Sequence, residues 1–359
     1  MVTKNTFYNP NIAIHPGVTL KDELDFLQLS QKELALKAEL SEKHISQILS
    51  GEANIGTETA LKLERVIGVR ADFWNEKQRN YDLTVARLRE KERIKVEVPQ
   101  AKKFSVYNEL VKLGAVNPTK DWGERTEQLL NLFKVSSIRL IPQVQGVRYR
   151  KSEGEFDEYA LSAWLQCGEL QARGLSLTNY DKKAFKKLLP ELKRFTSRTD
   201  NFFPELQELC AAVGVAVVYT PYFPKSKVNG AVRWLGNNPL IQINSKGVAA
   251  DRFWFTFYHE AGHIILHGKS DRFLEYNEME KSNEEQEADV FAANMLLESK
   301  SYQRLVAGSL TEEAVHKVAQ YNGVDVGVVV GRLAYEGIVD WRIATKYGKR
   351  INLPLPVIS

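Results

Sequence analysis

The stretch FYHEAGHIILHG, Phe257 to Gly268, sets two histidines four residues apart with a glutamate beside the first. On a helix, positions i and i+4 share one face about one turn apart. His259 and His263 can then aim two imidazoles at a single ion. Glu260 lies about 100° further round, close enough to touch a water held there but badly placed to be a ligand. Two ligands and a general base at this spacing are what zinc-dependent peptide hydrolysis needs. The surrounding Phe253, Phe255, Phe257, Ala261, Ile264 and Ile265 predict a buried helix, and buried imidazoles require partners.

A catalytic zinc takes three protein ligands and keeps a fourth position open. The longer pattern HExxHxxGxxH is broken here, with Leu266 in place of the glycine and Lys269 in place of the last histidine. His267 lies one turn past His263, too far along the helix for a third ligand, and reads as a supporting or surface histidine. Downstream, EEQEADVFAANMLLE (284–298) places Glu285 and Asp289 on one helix face. Glu285 is the expected third ligand, with Asp289 accepting the N–H of a ligand histidine and fixing its tautomer. Glu287 points about 160° away from Glu285 and is the second choice of ligand. Phe291, Met295 and Leu296 are expected to pack this helix against the histidine helix.

Upstream, FFPELQELCAAVG (202–214) reads as an amphipathic helix and VAVVYT (215–220) as a strand. GAVRWLGNNPLIQIN (230–244) reads as two strands joined by a turn at Gly236–Pro239. A small antiparallel sheet beside the histidine helix is expected, with PLIQIN near its edge, where a substrate backbone could add as a further strand.

The chain has 359 residues, 43% of them hydrophobic and 26% charged, with a net charge of +4. That is the composition of a globular protein of two or three domains. No apolar run approaches the roughly 20 residues of a membrane span. The opening MVTKNTFYNPNIAIHPG has no secretory h-region. Cys167 and Cys210 stand far apart outside any CxxC and read as buried thiols in a reducing compartment. A cytoplasmic location is the expectation.

Residues 16–70 read as short, well-punctuated helices. Leu20, Leu24 and Leu27 mark the apolar stripe of the first. Ser30 followed by Glu33 is a capping box opening a second, with Leu34, Ala35 and Ala38 inward. Ser41 caps a third with Ile45, Ile48 and Leu49 inward, ended by Gly51. Thr57 caps a fourth with Ala60, Leu61, Leu63 and Val66 inward, ended by Gly68. The second and third form a helix-turn-helix unit. Lys43, His44, Ser46 and Gln47 are the polar residues of its recognition helix, suited to base and phosphate contacts. Gln31 and Asn54 could reach phosphates from either side. Glu39 stands at the inter-helix turn, where a left-handed backbone would favour glycine. Residues 1–75 hold eight Lys/Arg against ten Asp/Glu, so one copy should bind phosphate weakly.

Residues 76–200 say less. ARLREKERIKVEVPQAKKF (86–104) reads as a solvated helix and linker, and DKKAFKKLLPELKRF (181–195) as a basic surface helix.

The segment from Ile14 to Trp74, with His15-Pro16-Gly17 at its start and Phe73-Trp74 and Tyr81-Asp82-Leu83 trailing, resembles HigA-type antitoxins of the Xre-like repressors. That resemblance implies a dimeric binder of operator DNA, often paired with a cognate toxin. RFWFTFYHEAGHIILH (252–267) and EADVFAANMLL (287–297), with VNGAVRW (228–234) and PLIQIN upstream, resemble the ImmA/IrrE metallopeptidases. That implies a gluzincin-like fold, a bound Zn2+ and cleavage of a repressor or other regulatory protein. EEAVHKVAQYNGVDVGVVVGRLAYEG (312–337) looks like the helical appendage that often follows.

The expected fold is α+β and mostly α. It comprises a helix-turn-helix domain over 1–80, a helical connector over 81–200, a metallopeptidase domain over 201–306 and a helical appendage over 307–359. The site set is His259, His263 and Glu285 on zinc, Asp289 behind them and Glu260 as base, with Tyr276, Arg272 and His267 as candidate oxyanion donors. The expected function is a DNA-binding regulator with a zinc endopeptidase. The alternative is a toxin–antitoxin-type repressor whose peptidase fold senses a partner without cutting it.

Overall fold

A computed structural model describes residues 12–145, 156–244, 249–269, 283–356 and 358. The chain divides into two compact units, the first ending at Glu97 and the second beginning at Val98. Among the described residues no helix is long and apolar enough to cross a membrane.

The first unit is built on α1 (Pro16–Phe26), α2 (Gln31–Lys37), α3 (Glu42–Ser50), α4 (Thr57–Ile67) and the start of α5 (Ala71–Ala101). Its punctuation is chemical. His15 caps α1, its Nδ1 accepting from the Gly17 backbone N–H at 3.0 Å, and Pro16 takes the first turn, where its missing N–H costs nothing. Gly17 is required by packing, because a Cβ there would fall 1.9 Å from the Ile48 carbonyl oxygen of α3. Ser30 and Glu33 form the reciprocal capping box. Ser41 caps α3 by accepting from the His44 N–H at 3.1 Å. Glu39, between α2 and α3, has φ +49°, the left-handed turn expected there, and Lys62 Nζ donates to its carbonyl oxygen at 3.1 Å.

Leu20, Leu34, Ile45, Ile48, Ala60, Leu63 and Trp74 form the core of this unit. Leu61, expected inside, is exposed, and Ile67 fills the α4 face instead. Leu27, expected on the α1 stripe, is exposed at that helix's C-cap, and the N-cap of α4 is Gly56 rather than Thr57. The Gln78 side chain of α5 accepts from the Ile55 N–H at 2.9 Å and donates to Asp82 at 2.9 Å, and Tyr81 meets the His15 ring edge-on at 4.7 Å. The trailing aromatic and acidic residues therefore belong to the same fold as the His-Pro-Gly start.

In the second unit, α6 (Tyr107–Lys112), α7 (Trp122–Phe133), α8 (Ile141–Val144), α9 (Glu158–Arg173), α10 (Lys182–Leu188) and α11 (Phe203–Ala211) precede the sheet. A run of 3-10 turns covers Leu189–Ser197. The sheet has β1 (Ala216–Thr220), β2 (Gly230–Leu235) and β3 (Asn238–Asn244), in the order β1-β3-β2. It is mixed rather than wholly antiparallel, since β1 pairs parallel and β2 antiparallel to β3. PLIQIN is thus the central strand, not an edge. The hairpin turn at Gly236, φ +64°, folds β3 back between the two earlier strands, and its unbroken burial from Pro239 to Asn244 is that of a strand covered on both faces. Gln242 of β3 is fully buried, donating to the Trp164 carbonyl at 2.6 Å and to Thr220 Oγ1 at 2.8 Å; a Cβ on Gly168 of α9 would fall 2.1 Å from its amide.

After the sheet come α12 (Ala250–Leu266), α13 (Asn283–Leu296), α14 (Ser299–Ala307), α15 (Glu312–Asn322), α16 (Val326–Tyr335) and α17 (Trp341–Tyr347). Phe253, Trp254, Phe257, Tyr258, Ala261 and Ile264 of α12 are buried in the unit's main core with Phe195, Phe202, Leu206 and Val329. At roughly 1.5–3 kcal/mol per buried side chain, this packing is what anchors α12 in the unit. Cys167 and Cys210 are buried free thiols.

Candidate metal centre

α12 turns one stripe into the core and leaves His259 and His263 half-buried on the face toward α13. The two helices approach closely because the residues between them are small. A Cβ on Gly262 would stand 3.1 Å from Phe291 and 3.3 Å from the Ala288 Cα, and Ala288 and Ala292 are fully buried. This brings Glu285 and Asp289 up to the histidines.

The donor atoms converge on one point. His259 Nε2 and His263 Nε2 are 3.1 Å apart. Glu285 Oε2 lies 3.2 Å from His259 Nε2, and Glu285 Oε1 3.4 Å from His263 Nε2. Tetrahedral zinc with bonds of about 2.0–2.1 Å separates neighbouring donors by about 3.3 Å. The residues therefore fit zinc in type, number and spacing. Among the described residues His259, His263 and Glu285 are the one group of this kind.

Behind the donors stand their supports. His259 Nδ1 is 2.9 Å from Asp289 Oδ1. His263 Nδ1 is 3.2 Å from His267 Nδ1, and His267 Nε2 is 3.0 Å from Glu287 Oε2. Each ligand histidine can thus place its proton on Nδ1 and present a bare Nε2. Glu287, the second choice of ligand, is on His267 instead. The i, i+4 step from His263 to His267 carried the signal for that support; its carboxylate partner on the facing helix had none. Of the candidate oxyanion donors, His267 is engaged in this chain, and Tyr276 and Arg272 lie outside the described residues.

Electrostatics follow the geometry. Burial opposes a charge on His259, but the carboxylates of Asp289 and Glu285 outweigh it and push its pKa up to about 10. Hydrogen bonds from His259 and His263 hold the Glu285 carboxyl far below the usual carboxylate range. Glu260 is 7% exposed, and burial raises its pKa against the pull of the two histidines. The start of β2 presses on it: a Cβ on Gly230 would fall 2.6 Å from Glu260 Oε1 and 2.5 Å from Thr256 Cγ2. Only glycine lets the strand come this close.

In the first unit, α3 exposes Lys43 and Ser46, with His44 and Gln47 half-buried beside them. Gln31 at the start of α2 and Asn54 after α3 are exposed. All six lie on the two helices of the motif or the loop that follows.

A helix-turn-helix unit and a glutamate-bearing two-histidine, one-carboxylate centre together define a class: a nucleic-acid-binding module joined to a metallopeptidase-type domain. Comparison with known proteins agrees. Residues 25–74 match the helix-turn-helix family and residues 210–334 the family described as Peptidase_M78, IrrE N-terminal-like domain. The chain is 36% identical over 88 residues to Virulence-associated protein I of Dichelobacter nodosus, covering 24% of this chain and 81% of that protein. It is 34% identical over 71 residues to the uncharacterized HTH-type transcriptional regulator YddM of Escherichia coli (strain K12), covering 20% of this chain and 76% of that protein. A solved structure of an addiction module antidote protein of the HigA family from Coxiella burnetii is 34% identical, covering 24% of this chain and 94% of that one, with a TM-score of 0.22. The chain belongs to the helix-turn-helix family through its first unit and carries an IrrE-like Peptidase_M78 domain in its second.

Proposed function

We propose that this protein is a cytoplasmic, homodimeric regulator that binds operator DNA through its first unit and cleaves a regulatory protein with a zinc-dependent endopeptidase in its second. The observation that carries the reading is the convergence of His259, His263 and Glu285 at the donor spacing of tetrahedral zinc, with Glu260 next to the first ligand. Zinc, when bound there, supplies a Lewis acid that polarises a peptide carbonyl and acidifies water to near neutrality.

The chain's own residues do the rest. Asp289 accepts the Nδ1 proton of His259, while His267, backed by Glu287, accepts that of His263. Both ligand rings are thereby held in one tautomer and one orientation. Glu260 takes a proton from the attacking water and gives it to the departing amine. Its buried setting, which raises its pKa, suits it to hold that proton between the two transfers. The start of β2 at Gly230 lies against Glu260, where an extended substrate can align its backbone.

In the first unit, Lys43, His44, Ser46 and Gln47 of α3 face the major groove, and Gln31 and Asn54 meet phosphates. Two copies are needed because one has a net acidic balance of eight basic to ten acidic residues over positions 1–75. The name of the Escherichia coli relative, a transcriptional regulator, supports this half of the reading. The resemblance to HigA-type antitoxins adds a cognate toxin as a partner.

The test is direct. The full chain, loaded with one zinc, is incubated with the products of its neighbouring genes, and cleavage is read by mass spectrometry. Cutting that a chelator stops and zinc restores supports the proposal. A zinc-loaded chain that binds one of those products but never cuts it would replace the peptidase with a sensor. Glu285→Ala should lose zinc; retention in that variant with loss in Glu287→Ala would move the third ligand.

A further inference from the structure

Residues 181–198 hold seven Lys/Arg against two Asp/Glu, whereas from residue 199 onward acids outnumber bases by nineteen to sixteen. Much of that basic charge stands on α10. Phe185, Leu188 and Leu189 are buried in the main core of the second unit, which turns the other face of the helix outward. Lys182, Lys183, Lys186 and Lys187 lie on that face and are exposed. They make two i, i+4 pairs, 182 with 186 and 183 with 187, so neighbouring Cβ atoms are about 5–6 Å apart.

The helix that carries them is held from below. The Asp181 side chain caps it, accepting from the Lys183 N–H at 2.8 Å and the Ala184 N–H at 3.0 Å. The Asp181 N–H donates to the Val213 carbonyl at 3.1 Å. A Cβ on Gly214 would fall 2.4 Å from the Tyr180 Cα, so this loop and the start of α10 are packed in direct contact.

Like charges at i, i+4 repel. Several cations elsewhere are matched by acids: Lys95 by Glu92 at 2.6 Å, Lys317 by Glu313 at 2.7 Å, and Arg194 and Arg198 by Glu205 at 2.7 and 2.8 Å. Among the described residues no acid pairs with Lys182, Lys183, Lys186 or Lys187. Four unmatched cations on one firmly packed helix face suit an anion of high charge density.

The surroundings say which anion. The apolar residues of α10 are committed to the core, so no hydrophobic face accompanies the lysines, as insertion into a lipid surface would require. Phe185 and Phe195, the aromatics of 181–198, are buried, so none is free to stack the bases of a single strand. Duplex DNA presents about one phosphate per 1.7 Å of its axis and needs neither. The chain already carries a helix-turn-helix module, yet residues 1–75 hold eight Lys/Arg against ten Asp/Glu. Phosphate attraction must then come in part from elsewhere in the chain.

We propose that the lysine face of α10 is a second, sequence-independent contact to the phosphate backbone of duplex DNA. Its cations displace condensed counterions and add affinity without reading bases. The proposal goes beyond the recognition-helix reading and rests on it for the presence of DNA.

The zinc-loaded full chain is titrated by fluorescence anisotropy onto the DNA upstream of its gene and onto an unrelated duplex of about 30 bp, across about 50–200 mM salt. The combined Lys182→Gln, Lys183→Gln, Lys186→Gln and Lys187→Gln variant should lose about 2–4 from the slope of log affinity against log salt on both DNAs, at about 0.9 per contact. Its binding should weaken at least about tenfold at 0.1 M salt, with the ratio of the two affinities unchanged. The matching Lys→Arg set should keep the wild-type slope. Zinc content should be unchanged in both sets, and the Gln set should melt no lower than wild type, because it relieves repulsion on an exposed face. An unchanged slope on either DNA in the Gln set, or an equal loss in the Arg set, would overturn the proposal. So would an effect of the Gln set confined to a single strand, phosphatidylserine vesicles or polyglutamate. If Gln47→Ala lowers the preference for the upstream DNA while the Gln set changes nothing, the α10 contact fails and the helix-turn-helix reading stands. A wild-type chain that binds neither duplex would overturn both.

Discussion

Zinc binding to this site should be a competition with a proton, and its size can be worked out. In the metal-free chain His259 titrates at about 10, because Asp289 and Glu285 outweigh its burial. At pH 7 the protonated ring then exceeds the neutral one by about 10³. A metal takes the neutral ring, so binding must expel about one proton per zinc. Glu285, held far below the usual carboxylate range, is already ionised and releases none. The competition weakens binding at pH 7 by about three decades, or about 4 kcal/mol, relative to a neutral site. Apparent affinity should climb about tenfold per pH unit from about pH 7 to 9 and level off near 10.

Stability of the metal-free chain runs the other way. A histidine whose folded pKa is raised contributes stability fully present below its unfolded value of 6.5 and lost as pH rises through about 10. Glu285, with a depressed pKa, contributes above its ordinary value of 4.5 and loses that contribution as pH falls. Calorimetry at pH 7 in buffers of different ionisation enthalpy counts the protons, and a titration series over pH 6–10 gives the slope. No proton release together with pH-independent affinity would refute this reading of the His259, Asp289 and Glu285 cluster.

Other perturbations have equally definite outcomes. Asp289→Ala should weaken zinc about 10–100-fold when compared at pH 10, where the proton competes little, as read by chelator competition. Gln47→Ala should cost roughly 1–3 kcal/mol on an operator upstream of the gene and relax its specificity. Lys43→Ala should weaken all sequences alike and reduce the salt slope by about 1; gel shifts across salt concentrations check both. Gly17→Ala drives a methyl into the Ile48 carbonyl and should destabilise the first unit by about 1–3 kcal/mol or more in urea unfolding, with zinc content untouched.

The parts of this protein legible in its sequence are those where local chemistry decides structure. The capping box at Ser30 and Glu33, the left-handed turn at Glu39 and the shared face of His259 and His263 follow from spacing within one element. So does the pairing of Glu285 with Asp289 on the facing helix. What the sequence hid depends on contacts between elements. The apolar run PLIQIN is compatible with an edge or a central strand, and only pairing on both sides by β1 and β2 decides it. Leu61 is apolar at a core-like spacing, yet Ile67 fills that face of α4. Glu287 has no local reason to meet His267; the approach of α13 to α12, permitted by Gly262 and Ala288, brings them together. Gly230 looks like a strand-opening glycine until Glu260 is found beneath it.

Glu260 is placed to act as a base and not as a ligand. Glu260→Gln keeps the side chain's volume and removes its ability to take a proton. Zinc should remain at one per chain, because His259, His263 and Glu285 are unchanged, and DNA binding should remain, because the first unit is untouched. Cleavage of a co-expressed regulatory partner, followed by mass spectrometry with metal content and melting temperature measured alongside, should fall about 10²–10⁴-fold, the contribution of general acid–base catalysis. Cleavage by Glu260→Gln at the wild-type rate with zinc in place would rule out Glu260 as the base.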